Sequence, residues 1–328
     1  MFLLSDPRSG ESLRFQSGMN AGGKHISGEG VMFEKLRGLI AAPFTPFKAD
    51  GSVNFEAISL QAESLVRQGV SGAYVSGTTG EGVSCSVAER IEVMEAWNAA
   101  SRGRLKLIIH TGALSLADIR ELGSHAQKLG VFGTSIVPPT YFRPGSIPQL
   151  TEFCRLAAAA APDLPFYYYH TMLTAPNLPM VDFLKAADGL IPNLAGIKFN
   201  CHNLYEYQNC RRLFDGKYDI VFGVDEFFAG ALALGAEGFI GSTYNYGAKT
   251  YFKIWDDFRK SDWSAVRAGM DKVCAGVDLL VQYGGLATGK AIMAIQGIDC
   301  GDPRPPLMPL SQEIKNQIRQ EAAAIYSV

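Results

Sequence analysis

The chain has 328 residues, 47% hydrophobic and 19% charged, with a formal net charge of -2, a globular composition with material for a large core. The near-balanced charge excludes the electrostatic footprint of a nucleic-acid or anionic-membrane binder, and no apolar run is long enough to cross a bilayer. Six cysteines (Cys85, Cys154, Cys201, Cys210, Cys274 and Cys300) are dispersed without a C-x-x-C pair, which speaks against zinc and for a reducing cytoplasm. Residues 1–30 are rich in Gly and Ser and lack sustained periodicity, and Phe2-Leu3-Leu4 is too short for the apolar core of a signal peptide. We expect a loose tail over residues 1–35, with Met32 a candidate start of the periodic chain.

From there short strand-like runs alternate with longer amphipathic ones. The predicted strands are Gly38–Pro46, Gly72–Thr79, Leu105–Gly112, Thr134–Tyr141, Pro165–His170, Leu194–Asn200, Asp219–Asp225 and Gly238–Asn245. Between them lie helical patterns over Asn54–Gln68, Val87–Ala100, Leu116–Leu129, Ile147–Ala161, Val181–Ala187, Leu204–Phe214 and Phe227–Leu234. Eight such units imply parallel βαβ connections, hence an α/β fold of the (β/α)8 TIM-barrel type over residues 36–250. Beyond it, Tyr251–Lys260, Trp263–Tyr283 and Ser311–Tyr326 read as helices around the breaker Gly301–Pro306, a C-terminal helical appendage over 251–328.

In such a barrel, chemistry collects at the C-terminal strand ends. Those ends carry Thr78 and Thr79, Tyr141, Tyr169, Lys198, Asp225 with Glu226, and Ser242. Lys198 stands between Ile197 and Phe199, so period-two alternation turns it to the opposite face. Burying an ammonium is costly, and the same desolvation leaves an amine able to form a Schiff base with a ketone. An edge-strand lysine in water and a lysine paired with a core carboxylate are the alternatives. In Phe166–His170, Tyr167 and Tyr169 share one face and Tyr168 takes the other; a phenol near the amine can shuttle a proton, or simply pack. His170 reads as a hydrogen-bonded structural group, with no second ligand at metal spacing.

The glycines and hydroxyls of Gly77-Thr-Thr-Gly-Glu-Gly82 suit a carboxylate, or equally a turn whose threonines cap the next helix. Asp225 and Glu226 can accept hydrogen bonds from several hydroxyls, or cap a helix. Gly284–Lys290 matches G-x-x-x-x-G-K, but Ala291 replaces the metal-binding hydroxyl and no strand precedes it, so it is not read as a phosphate loop.

Together these segments resemble the N-acetylneuraminate lyase / dihydrodipicolinate synthase family of class I pyruvate aldolases, most nearly its N-acetylneuraminate lyase branch, from about Leu36 to Leu310. The carriers are Gly77–Gly82 followed by Ser86–Arg90, Phe166–His170, Gly196-Ile-Lys198, Phe222–Glu226 and Gly241–Asn245. The resemblance implies Lys198 as Schiff-base lysine and Tyr169 as proton relay, with Thr78 and Thr79 on the pyruvoyl carboxylate. It implies Thr174, Gly223, Asp225, Glu226 and Ser242 as substrate-binding positions, and Tyr141 as a residue reaching toward a neighbouring subunit. It further implies cleavage of sialic acid to pyruvate and N-acetylmannosamine, no metal or added cofactor, and a homotetramer. The loop Thr171–Pro176 departs from the lyase pattern: the usual proline is absent, one residue is missing, and Ala175 replaces Gly. The arginine with which the synthase branch holds a second carboxylate is also missing. A lyase for another 2-keto-3-deoxy sugar acid and a non-catalytic barrel binding a keto acid or sugar stay open as alternatives.

Overall fold

The computed structural model describes residues 25–27, 30–174 and 177–326. The expected loose tail lies largely outside the described residues, as do Ala175 and Pro176 of the departing loop. What is described of residues 1–34 is an antiparallel ribbon of His25–Ser27 with Gly30–Met32, for which the sequence reading had no signal.

Residues 35–328 form a separate unit containing eight parallel strands. These are β1 (Gly38–Ala41), β2 (Gly72–Val75), β3 (Lys106–His110), β4 (Gly133–Ile136), β5 (Phe166–Thr171), β6 (Leu194–Asn200), β7 (Asp219–Phe222) and β8 (Gly238–Gly241). Each pairs with the next, and β8 pairs with β1, so the sheet closes as a barrel. The helices between them are α1 (Phe55–Arg67), α2 (Val87–Ser101), α3 (Leu116–Leu129), α4 (Ile147–Ala158), α5 (Met180–Ala187), α6 (Leu204–Arg212) and α7 (Phe228–Ala233). Then follow α8 (Tyr244–Arg259), α9 (Trp263–Tyr283), α10 (Gly285–Ile295) and α11 (Gln312–Tyr326). Asn54, Ser86, Ser115, Ser146 and Asn203 start α1, α2, α3, α4 and α6 by accepting hydrogen bonds from first-turn amides that would otherwise lack partners.

All eight strands occur where the periodicity places them, but several stop short of the predicted C-terminal ends. The fourth ends at Ile136 rather than Tyr141, because Val137-Pro138-Pro139 leaves the ladder and proline has no N–H to donate. The stretch read as the end of the eighth strand, up to Asn245, is partly helical: α8 starts at Tyr244, seven residues before the predicted helix, and follows β8 as the last barrel helix. Helix α10 falls where the sequence reading noted only the G-x-x-x-x-G-K match.

Alternation decides what each strand residue does. Val75, Ile109, Ile136, Tyr168 and Ile197 face outward into a core shared with the helices, each burial contributing about 1.5–3 kcal/mol. Tyr74, His110, Ser135, Tyr169 and Lys198 occupy the alternate, inward positions on β2 to β6. At the opposite end of the barrel Asp219 Oδ2 accepts from Leu36 N (2.7 Å) and the Tyr167 hydroxyl (3.0 Å), which fixes the start of β1.

Candidate active site

Lys198 and Tyr169 are register partners on β6 and β5, so their side chains enter the barrel at one level. The lysine is 5% exposed and belongs to a closed sheet, which removes the edge-strand alternative. No carboxylate of the described residues stands within ion-pair distance, which removes the paired one. The amine lies instead over ring faces, 4.0 Å from the Tyr169 centroid and 4.2 Å from that of Tyr74.

Tyr74 and His110 beside it are held in their neutral forms by burial. Tyr74 meets Tyr169 edge to face, with centroids 5.8 Å apart, and its hydroxyl donates to Ser135 Oγ at 2.9 Å. Burial pushes the Tyr74 phenol far above its ordinary range. His110, 6.4 Å from the Tyr169 ring, is driven well below the usual imidazole range by burial, with Arg90 and Lys198 adding to the effect. Its Nε2 accepts from Val137 N at 3.1 Å. His170, on the outer face, packs against Phe199 at 5.2 Å, and its Nδ1 has no hydrogen-bond partner among the described residues. The expected hydrogen bond is replaced by ring packing. Burial holds that imidazole down at about 4.

Between β2 and α2 the chain doubles back through two non-glycine residues in left-handed conformation, Ser76 (φ 58°) and Glu81 (φ 50°). Gly82 is required by proximity: a Cβ there stands 1.9 Å from Ser76 O. The alternative that the threonines cap the next helix fails. Helix α2 is capped reciprocally by Ser86 and Glu89, and the 3-10 turn Gly82–Ser84 has no side-chain cap. Thr78 and Thr79 face a cavity of about 360 Å³ over the barrel mouth.

That cavity brings together Lys198, Tyr169, Thr78, Thr79, Gly223, Asp225, Glu226 and Ser242. The two carboxylates do not act as a pair. Asp225 is 6% exposed; its Oδ2 accepts from Thr243 N (3.1 Å) and Thr243 Oγ1 (2.6 Å). Burial raises its carboxyl above the ordinary range, with the Thr243 hydrogen bonds opposing. Glu226 turns outward, with Oε1 3.3 Å from His202 Nε2. Neither caps a helix.

The chain matches the Dihydrodipicolinate synthetase family over residues 35–325. It belongs to that family. Among curated relatives, the N-acetylneuraminate lyase of Sus scrofa is 36% identical over 298 residues, covering 89% of this chain and 93% of the relative. That of Homo sapiens is 38% identical over 286 residues, covering 85% and 89%. Among solved structures, Proteus mirabilis N-acetylneuraminate lyase superposes with a TM-score of 0.88 at 51% identity, covering 90% of this chain and all of that one. The Aliivibrio salmonicida N-acetylneuraminate lyase gives 0.89 at 49%, covering 90% and 99%.

Within this member of the dihydrodipicolinate synthetase family, two predicted site residues stand apart from the cavity. Tyr141 lies in the loop after β4, 80% exposed and edge to face with Phe142, so it is not at a strand end. Thr174 is buried with its hydroxyl on Thr171 O at 3.4 Å and does not line the cavity. The cavity also holds Thr171, Asn200 and His202, which the sequence reading passed over. Thr171 and Asn200 are the next inward rung above Tyr169 and Lys198, so the same alternation finds them. His202 has no such signal; nor do Val277 and Leu280, which α9 contributes to the wall. Among the described residues no group of His, Cys, Asp and Glu is arranged to hold a metal ion.

Proposed function

We propose that this protein is a Schiff-base aldolase that cleaves N-acetylneuraminate to pyruvate and N-acetylmannosamine. The observation that carries the reading is the buried Lys198 amine, without a carboxylate partner among the described residues and level with Tyr169 at the mouth of a closed barrel. The names of its relatives point to the same substrate. The amine adds to the C2 ketone of the open-chain sugar acid, and the Tyr169 phenol gives its proton to the departing water, leaving an iminium and a phenolate. Tyr169 takes the C4 hydroxyl proton, the C3–C4 bonding pair moves into the iminium, and the amino-sugar aldehyde departs. C3 of the enamine is protonated, and hydrolysis releases pyruvate and the free lysine. Thr78 and Thr79, with hydroxyls that cap nothing, hold the carboxylate. Asn200, Gly223, Glu226 and Ser242 surround the hydroxylated tail, and Asp225 shapes that end of the cavity.

Borohydride reduction with pyruvate tests this reading. It leaves a stable adduct whose mass maps to Lys198, and a protein that releases pyruvate from N-acetylneuraminate but forms no adduct overturns the mechanism. The loop bearing Met172 and Leu173 favours a second reading, in which another 2-keto-3-deoxy sugar acid is the substrate, because it borders the departing aldehyde. No arginine lines the described cavity to receive a second carboxylate. Pyruvate release from a panel of sialic and sugar acids separates the two. We also assign the chain a homotetrameric state and a cytoplasmic location. The exposed Tyr141, Phe142, Val83 and Leu114 and the free cysteines support these assignments. Sedimentation and fractionation test them.

A further inference from the structure

Glu81, the left-handed residue just after Thr78-Thr79-Gly80, is 3% exposed, and both its carboxylate oxygens are met from the far end of the chain. Lys290 of α10 places Nζ 2.7 Å from Glu81 Oε1, with side-chain exposures of 1% and 2%. Arg304 N donates to Glu81 Oε2 at 2.8 Å. The Arg304 side chain then reaches the other flank of the loop, donating to Ser84 O (3.0 Å) and Glu89 Oε2 (3.0 Å), the capping residue of α2. Phe47 lies under both cations, at 4.4 Å from Lys290 and 4.3 Å from Arg304. Thr45 Oγ1 donates to Gly80 O and completes the frame.

A buried ion pair contributes little net stability over apolar residues of the same size, because desolvation offsets the attraction. Here it fixes a backbone. Thr78 and Thr79 are bracketed by residues in a sparsely populated conformation, and such geometry persists only where the surroundings impose it. The two hydroxyls facing the cavity therefore take their positions from contacts made by α10 and residues 301–306, which lie outside the barrel strands. We infer that Lys290, Glu81 and Arg304 are positioning residues that hold Thr78 and Thr79 where they receive the keto acid's carboxylate. The C-terminal region is thereby part of the substrate site. This rests on the proposed Schiff-base reading.

The test compares borohydride trapping of pyruvate with trapping of methyl pyruvate, which presents the same ketone but no carboxylate charge. In Lys290→Met, trapping of subsaturating pyruvate falls about tenfold to a hundredfold, the range expected when a binding group is displaced by about 1 Å. Methyl pyruvate trapping stays within about twofold of the parent, since Lys198 is untouched. The double variant Glu81→Gln/Lys290→Met leaves no lone buried charge and shows the same split if the single variant folds poorly. Equal losses for acid and ester, or no loss for either, overturn the clamp. Absence of any adduct in the parent protein overturns the Schiff-base reading, and the clamp with it.

Discussion

Lys198 has ring faces where most lysines have oxygen acceptors. Its replacement by methionine removes a buried amine without creating an unpaired partner, so Lys198→Met should abolish adduct formation and turnover while Tm holds or rises. A large fall in Tm would show that the amine serves the fold. Tyr169→Phe keeps the edge-to-face packing on Tyr74 and loses only the hydroxyl; kcat should fall about 10²- to 10⁴-fold with a smaller change in KM. Steady-state kinetics at saturating substrate decides it. Both residues were legible in the sequence because a two-residue period assigns faces without knowledge of the fold. Carried one step further, the period also yields Thr171 and Asn200. Thr174 and Tyr141 lie beyond their strands, where a side chain's place depends on how a loop leaves the ladder, which no periodicity encodes.

Among the elements, every strand was found, and the ends of β5 and β6 fall within one residue of the reading. Elsewhere the apolar, alternating pattern continues past the last ladder hydrogen bond, as in Val137-Pro138-Pro139, so the strand reading runs into the loop that bears the site. Helix α10 has no counterpart in the sequence reading, where Gly284–Lys290 is weighed only as a G-x-x-x-x-G-K match; Gly289 lets the helix meet Phe44, whose ring a Cβ would strike at 2.4 Å. The end of β8 offers a sharper test. A Cβ on Gly241 stands 1.8 Å from Asp225 Oδ1, so Gly241→Ala forces that carboxylate out of its Thr243 contacts. We expect KM for the sugar acid to rise about tenfold or more with pyruvate trapping at Lys198 retained. Parallel loss of both would place Asp225 in the fold rather than at the sugar end.

For the whole molecule, the buried histidines set a stability slope. Burial holds His170 near about 4 against 6.5 for an unrestrained imidazole, so between those values the unfolded chain binds a proton the folded chain refuses. Stability is full above pH 6.5 and drops by up to about 3 kcal/mol as pH falls through this window. His110 acts in the same direction, whereas Asp219 and Asp225, raised by burial, act in the opposite one. The difference between parent and His170→Gln isolates one group: the variant's Tm should decline less steeply from pH 6.5 to 4, and identical slopes would refute the assignment. At this scale the division of labour among the layers has a practical side. The proposed reactive pair, Lys198 and Tyr169, stands on strands, while Val277 and Leu280 approach the cavity from α9, a helix that follows the barrel. A designer seeking to admit bulkier or more oily aldehydes can therefore redraw one helix face and leave the reactive machinery as it stands.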